Sequence, residues 1–475
     1  LRNCIDIIGK YLITLINDCF LTGEFPACFK ISKVIPIFKK GSKDLVSNYR
    51  PISIVPIFGK VIEILIKNRL VTFLSKNRVL NETQFGFRTG LSTTQAVSSV
   101  VDGVVEAFEN RHYSCALLYD LTKAFDCVTP SILLEKLNHY GIRGIPLKLL
   151  DSYLRGRSQC VSFNNKSSSL KEITLGVPQG SVLGPTLFLI YVNDLPNAIS
   201  IGKCIQFADD TTILCSSPVI NTLTDYIANV NTQLQQWLEC NKLKHNSDKT
   251  LNIHFTTTKS IARRTSAKLL GITLDNELSW EAHVDQLCTV LASNTYLLIR
   301  LRQSLNHDVL RSSYFAFVHS RISYGITIWG RSPYSLRVFR MQKKAIRIIA
   351  FRGFRDPCRD IFKKLKIMPL PCIYIYQTLI HMHKLVNSNK NVSDTSNHGY
   401  ATRHCKLLLP VKRRLCVSTK NSLNVALYNK VNNKLKSLPL NLFKIQIKTF
   451  LLKNCFYSID EYMAAPTCTD MIFLC

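Results

Sequence analysis

Acidic residues are scarce in this chain of 475 residues. Asp and Glu number 31 against 61 Lys and Arg, a formal net charge of +30. The rest of the composition is ordinary, with 46% hydrophobic and 9% aromatic residues, which excludes bulk disorder. So large a cationic excess on a normal core implies a polyanionic partner, either nucleic acid or an acidic membrane face. Long apolar runs are also missing. The longest, Val182 to Val192, is interrupted by Gly184, Pro185 and Thr186 and falls well short of the ~20 residues a spanning helix needs. No membrane-spanning segment is expected, and nucleic acid rather than a membrane is the expected partner. The 17 cysteines include no Cys-x-x-Cys pair and no zinc-finger spacing with histidine, so no zinc finger is expected, and the odd count leaves room for one reactive or intermolecular thiol. They read as buried free thiols of an intracellular protein. No repeat recurs at a spacing of 20–50 residues. No secretory leader is expected in this segment, since the apolar stretch after Leu1 carries Asp6 and Lys10. A chain opening on Leu rather than Met is expected to be a fragment of something longer.

What is present divides into a mixed front and a helical rear. Val34 to Phe38 reads as a strand leading into the basic turn Lys39-Lys40-Gly41-Ser42-Lys43, and Ile52 to Val55 as a second short strand. Phe58, Val61, Ile62 and Leu65 fall at helical spacing and predict the buried face of a helix. Residues 115–215 form an α/β block. Within it Thr129-Pro130 opens a helix, with Leu133, Leu137 and Tyr140 on its inner face and Gly141 as its stop. Ile205 and Phe207 alternate before Asp209-Asp210, and Ile213 and Cys215 after, which predicts a β-hairpin with two acids at its tip. Beyond about residue 285 the pattern is helical and basic. Residues 387–400 lack core material and are expected to be a linker, followed by a basic helical region over 401–475.

Three acids stand out against the cationic background: Asp120 at a strand end, and Asp209 with Asp210 at the hairpin tip. Were their strands neighbours, the carboxylates would converge. Two such groups roughly 4 Å apart repel by about 4 kcal/mol at an effective dielectric of about 20, so a hard divalent cation is their natural counter-ion. Taken alone, Asp-Asp reads more readily as a solvated turn. The uncharged strands on both sides favour a site on a buried scaffold.

Phe207-Ala208-Asp209-Asp210 resembles the F/Y-x-D-D box of reverse transcriptases, and Leu118 to Asp126 resembles their first palm motif. Between them, Gly176 to Pro185 resembles their nucleotide-pocket motif. Three motifs in the family's order are far more specific than any one of them. Asn48-Tyr49-Arg50-Pro51-Ile52-Ser53 and Gln84-Phe85-Gly86-Phe87-Arg88 resemble the fingers motifs of non-LTR retrotransposons of the Jockey/CR1 kind. Leu269 to Asp275 resembles the segment closing their palm, and Tyr324 to Gly330 a piece of their C-terminal region. The resemblance spans most of the chain and implies an α+β right-hand polymerase. Fingers would occupy about 1–114 with 140–175, palm about 115–139 and 176–275, and a helical thumb-like region 276–386.

Carried over by position, the resemblance makes Asp120, Asp209 and Asp210, with the backbone carbonyl of Leu121, the holders of two Mg²⁺ ions, for which Mn²⁺ can substitute. Phe125 would lie under the sugar and exclude a ribose 2′-hydroxyl. Gln179 and Gly180 would contact the nucleotide and the template base. Arg50, with Lys39 or Lys40, would reach the triphosphate. Lys249, in Asn246-Ser247-Asp248-Lys249-Thr250, would protonate the leaving pyrophosphate. His245 stands where the family usually shows an apolar residue, so packing there is expected to differ. Without the motifs around them, Phe125 would be read as a core aromatic, Gly176 to Ser181 as a turn, and each lysine as a solvated charge. The implied activity is RNA-directed DNA polymerisation, with an RNA template, a DNA primer, dNTP and the RNA–DNA hybrid as partners. Nuclear access is implied by the need to meet chromosomal DNA. The endonuclease domain of full-length members is expected to be absent from this chain, and no RNase H or zinc-knuckle pattern follows the palm motifs. Two alternatives remain: a catalytically inactive nucleic-acid-binding remnant, and an RNA-binding splicing factor of the maturase kind.

Overall fold

The computed structural model describes residues 5–257, 265–387 and 420–466. The chain separates into two units. One comprises Leu1–Val100 with Cys115–Asn252, the other Val101–Ser114 with Ile253–Cys475. The strands in chain order are β1 (Ile31–Phe38), β2 (Tyr49–Ile54), β3 (Tyr113–Tyr119), β4 (Arg157–Phe163), β5 (Lys166–Ser167), β6 (Lys171–Ile173), β7 (Lys203–Phe207), β8 (Asp210–Ser217), β9 (Leu251–Phe255), β10 (Ser266–Leu269) and β11 (Ile272–Asp275).

The front sheet runs β2-β1-β4-β5, with β6 also paired to β4. Alternation in β1 buries Ser32 and Val34 and leaves Ile31, Ile35 and Ile37 exposed, the period-two pattern of a sheet covered on one face. The second sheet runs β7-β8-β3-β9. Its central strand β3 is buried from Ser114 to Tyr119, as a strand flanked on both sides and covered on both faces should be. Around it lies the main core, with Leu117, Leu133, Leu137, Phe188, Ile190 and Trp237 among its members. The apolar run near residue 187 is the helix Gly184–Tyr191, buried along nearly its whole length. It is an interior helix, and among the described residues no helix is long and apolar enough to cross a membrane.

Two local expectations need correction. The helix Ile57–Lys76 forms, but its inward face is Ile62, Glu63, Ile66, Leu70 and Leu74, whereas Leu65 is 37% exposed. Apolar residues occur all round this helix, so periodicity alone does not select a face; the buried contacts of Glu63 do. Pro130–His139 is a helix with Thr129 at its N-cap, yet the Thr129 side chain makes no capping bond.

In the other unit β10 and β11 form a hairpin with Leu269 opposite Ile272. The buried carboxylate of Asp275 then accepts the N–H groups of Ser279 at 2.8 Å and Trp280 at 2.7 Å, fixing the start of the helix Glu281–Leu301. That helix packs on Ser335–Ile349, and Leu370–Asn387 packs on Lys420–Asn429 and Leu440–Asn454. The expected linker over 387–400 falls, beyond Asn387, outside the described residues.

Candidate active site

β7 and β8 pair with Phe207 opposite Asp210. Ala208 and Asp209 therefore make the turn, and Asp210 already belongs to β8. Ala208 sits at φ +58°, a conformation that costs a non-glycine residue and persists where the surroundings enforce it. The enforcing group is Gln84, which is fully buried. Its side-chain oxygen accepts the N–H of Ala208 at 3.0 Å and of Gly86 at 2.8 Å. The backbones are tied as well, Gln206 N–H to the Thr83 carbonyl at 2.9 Å and Phe85 N–H to the Gln206 carbonyl at 2.8 Å. A Cβ on Gly86 would lie 2.3 Å from the Ala208 nitrogen, so only glycine permits this approach.

Asp120 follows β3. The segment 120–122 is laced to 244–246, with Asn246 N–H on the Asp120 carbonyl and Thr122 N–H on the Lys244 carbonyl, both at 2.8 Å. Leu121 and His245 face each other between these bonds, which turns the Leu121 carbonyl away from that ladder. His245 lies edge-on to Tyr119, with ring centroids 6.3 Å apart, an aromatic contact in place of an aliphatic one. The same segment carries Lys249, whose Nζ is 2.6 Å from Asp120 Oδ2.

The acids act on one another. Burial raises the Asp209 carboxyl above the usual range and the Asp120 charge raises it further, while a bond to its own backbone N–H, and the charges of Arg50 and Lys39, oppose the rise. Asp210 is pushed up to about 6 by burial, then by Asp209 and Asp120, against the pull of Lys249. Negative charge crowded on hard oxygen donors is the donor chemistry a divalent cation satisfies. As the side chains stand, no three His, Cys, Asp or Glu groups among the described residues are gathered at metal-ligating distance, and the Lys249 ammonium is the cation nearest Asp120. The donor set fits a divalent metal in kind and charge.

The nucleotide-pocket loop is stitched on both sides. Gly176 N–H bonds the Val128 carbonyl at 2.7 Å and Val177 N–H the Phe125 carbonyl at 2.9 Å. Gln179 donates from Nε2 to Asp126 Oδ1 at 3.0 Å, and its carbonyl accepts Ser53 N–H at 2.7 Å. Gly180, at φ +126°, passes so close to β2 that a Cβ would sit 2.4 Å from the Ser53 oxygen. Phe125 stacks on buried Phe188, centroids 4.5 Å apart, with Phe87 edge-on at 6.3 Å. Arg50 lies exposed on β2 opposite Ile37. Lys39 follows β1, held by its N–H on the Asn48 carbonyl at 2.8 Å. Lys39 and Lys40 are both exposed, and the Lys39 charge acts on Asp209.

Two residues without a sequence-derived role emerge, Gln84 and Glu63. Glu63 is fully buried and accepts the Tyr153 hydroxyl at 3.1 Å and the Val182 N–H of the pocket loop. Burial raises its carboxyl pKa, against those two bonds and the nearby Arg157. A charged residue inside an apolar helix face was the available signal.

Comparison with known proteins now places the chain. A family model described as reverse transcriptase (RNA-dependent DNA polymerase) matches residues 37–274, and the chain belongs to that family. It is 31% identical over 388 residues to the RNA-directed DNA polymerase from mobile element jockey of Drosophila melanogaster, covering 76% of this chain and 42% of that protein. It is also 31% identical over 373 residues to a probable RNA-directed DNA polymerase from transposon BS of the same organism, covering 71% of this chain and 40% of that one. The chain thus spans about two fifths of the length of the curated relatives it matches. Among solved structures, telomerase from Candida albicans aligns with a TM-score of 0.42 at 13% identity, over 78% of this chain and 66% of that one.

Proposed function

We propose that the chain is an RNA-directed DNA polymerase of a non-LTR retrotransposon, copying an RNA template onto a DNA primer and holding the resulting RNA–DNA hybrid. The observation that carries this reading is the pairing of β8 with β3, which sets Asp209 and Asp210 at the β7–β8 turn beside Asp120 at the end of β3, three acids together in a chain of net charge +30. In the reaction the primer 3′-oxygen bonds to the α-phosphorus of a dNTP. The bond from that phosphorus to the bridging oxygen breaks, and pyrophosphate leaves. Arg50 and Lys39 bind the triphosphate, Arg50 through the planar fork that suits phosphate. Phe125, fixed by Phe188, lies under the sugar. Gln179, oriented by Asp126, meets the nucleotide, and Gly180 lets the backbone approach the template base. Lys249 delivers a proton to the departing pyrophosphate. Asp120, Asp209, Asp210 and the Leu121 carbonyl would hold two Mg²⁺, which when bound lower the pKa of the attacking hydroxyl and neutralise charge growing in the transition state. Basic helices of the C-terminal region grip duplex phosphates through sequence-independent contacts that weaken with salt, and the chain works where chromosomal DNA is reached, in the nucleus.

The test is primer extension on poly(rA)/oligo(dT) with Mg²⁺. Extension by the native chain, abolished in Asp209→Asn, supports the reading. Template binding without extension by the native chain identifies an inactive nucleic-acid-binding remnant instead.

A further inference from the structure

Beyond the helix Ser335–Ile349 the chain reads Phe351-Arg352-Gly353-Phe354-Arg355. Phe354 is 76% exposed and Phe351 42%, although burying either ring would favour folding. The loop presenting them is tightly closed. Arg352 N–H bonds the Arg347 carbonyl at 2.9 Å, and Arg347 Nε bonds the Asp356 carbonyl at 2.8 Å. Gly353 N–H bonds the Asp356 carboxylate at 3.0 Å, and Asp356 N–H returns to the Gly353 carbonyl at 3.2 Å. Phe351 is held in place by the Arg302 guanidinium, 4.5 Å from its ring centroid, and by the His307 ring, edge-on at 4.6 Å. Arg352 and Arg355 are exposed beside the rings, and Arg340 and Lys344 are exposed on the preceding helix.

We propose that this loop is a stacking platform for unpaired bases of single-stranded RNA. The Phe354 face takes a base while Arg352 and Arg355 take the flanking phosphates. The alternation of ring and cation is what such a strand requires, because every base offers a π-face and every link a negative charge. RNA is recognised chiefly through unpaired bases splayed onto aromatic rings. The choice of RNA among polyanions rests on the polymerase reading above. A rigid frame adds affinity because little conformational freedom remains to be lost on binding.

Fluorescence anisotropy of the whole chain, without Mg²⁺ or dNTP, tests this with a labelled single-stranded RNA of about 15 nucleotides and with an RNA–DNA hybrid of equal length. Phe354→Ala is expected to weaken single-strand binding by about fivefold or more, with hybrid binding unchanged and the salt slope preserved. Phe354→Trp should restore binding, which a misfolded loop would not. Arg352→Gln and Arg355→Gln should instead flatten the salt slope. Unchanged single-strand affinity in Phe354→Ala overturns the proposal. So does an equal loss on the hybrid, or a loss confined to binding of phosphatidylserine vesicles. Primer extension on poly(rA)/oligo(dT) with Mg²⁺ is a separate readout: its failure in the native chain would sink the polymerase reading and leave the binding result standing.

Discussion

The side-chain oxygen of Gln84 lies 3.0 Å from the Ala208 nitrogen and accepts its N–H. The residue that carries the two aspartates around the turn is thereby fastened to the fingers motif. Gln84→Met keeps the volume and removes the acceptor, leaving the N–H groups of Ala208 and Gly86 buried without this partner. The expected cost is about 1–3 kcal/mol of stability, read from denaturant unfolding. A turn displaced by even a fraction of an ångström should also lower kcat for primer extension by roughly ten- to hundredfold with the KM for dNTP unchanged. A rise in KM at constant kcat would place Gln84 in substrate binding instead.

Arg50 carries the prediction for the triphosphate. Its charge, with that of Lys39, acts on Asp209, and charge-assisted hydrogen bonds are worth about 1.5–3 kcal/mol. Arg50→Ala should therefore raise the KM for dNTP by roughly ten- to hundredfold and leave the affinity for primer–template unchanged. Steady-state kinetics at several dNTP concentrations measures the first, and a binding titration without dNTP the second. An effect on template affinity alone would remove Arg50 from the triphosphate.

Phe125 stacks on buried Phe188, with Phe87 edge-on beyond it. A ribose 2′-hydroxyl pressed against it would lose its hydrogen bonds, a penalty of about 1–3 kcal/mol. Phe125→Ala should cut the preference for dATP over ATP by roughly ten- to hundredfold, measured as the ratio of kcat/KM values. Unchanged discrimination would return Phe125 to the role of a packing residue.

The aspartates and the pocket loop are legible in the sequence because chemistry confines them to short segments whose order is the signal. Asp209 and Asp210 are adjacent, and Gly176 to Gly180 contains two glycines whose positive φ values allow backbones to approach. Gln84 and Glu63 are not legible in that way. Their roles depend on partners 124 and 119 residues distant, Ala208 and Val182, and no local pattern announces such a bond. The misassigned face of Ile57–Lys76 has the same origin. Its apolar residues permit several faces, and the choice is made by Tyr153 and by the pocket loop meeting Glu63.

His283 supplies a test by pH in the unit containing residues 253–475. It is 8% exposed, lies 5.7 Å from Trp329 between ring centroids, and accepts the Thr273 N–H at Nδ1 over 3.4 Å. Burial, reinforced by Lys268, pushes its pKa down to about 4 from 6.5. The folded chain therefore binds fewer protons than the unfolded chain between these values, so stability rises with pH across that window. It is fully present above about 6.5 and lost as pH falls towards 4, by about 3 kcal/mol for this residue. His319, pushed down to about 4 by burial and then by Lys448, adds a contribution of the same sign. His283→Gln can still accept from Thr273 and cannot charge. Its unfolding free energy should fall less steeply from pH 6.5 to 4 than that of the native chain, while remaining within about 1–2 kcal/mol of it at pH 7. Equal slopes in urea titrations across that range would mean that His283 protonates without cost, and that the acid sensitivity of this unit resides elsewhere.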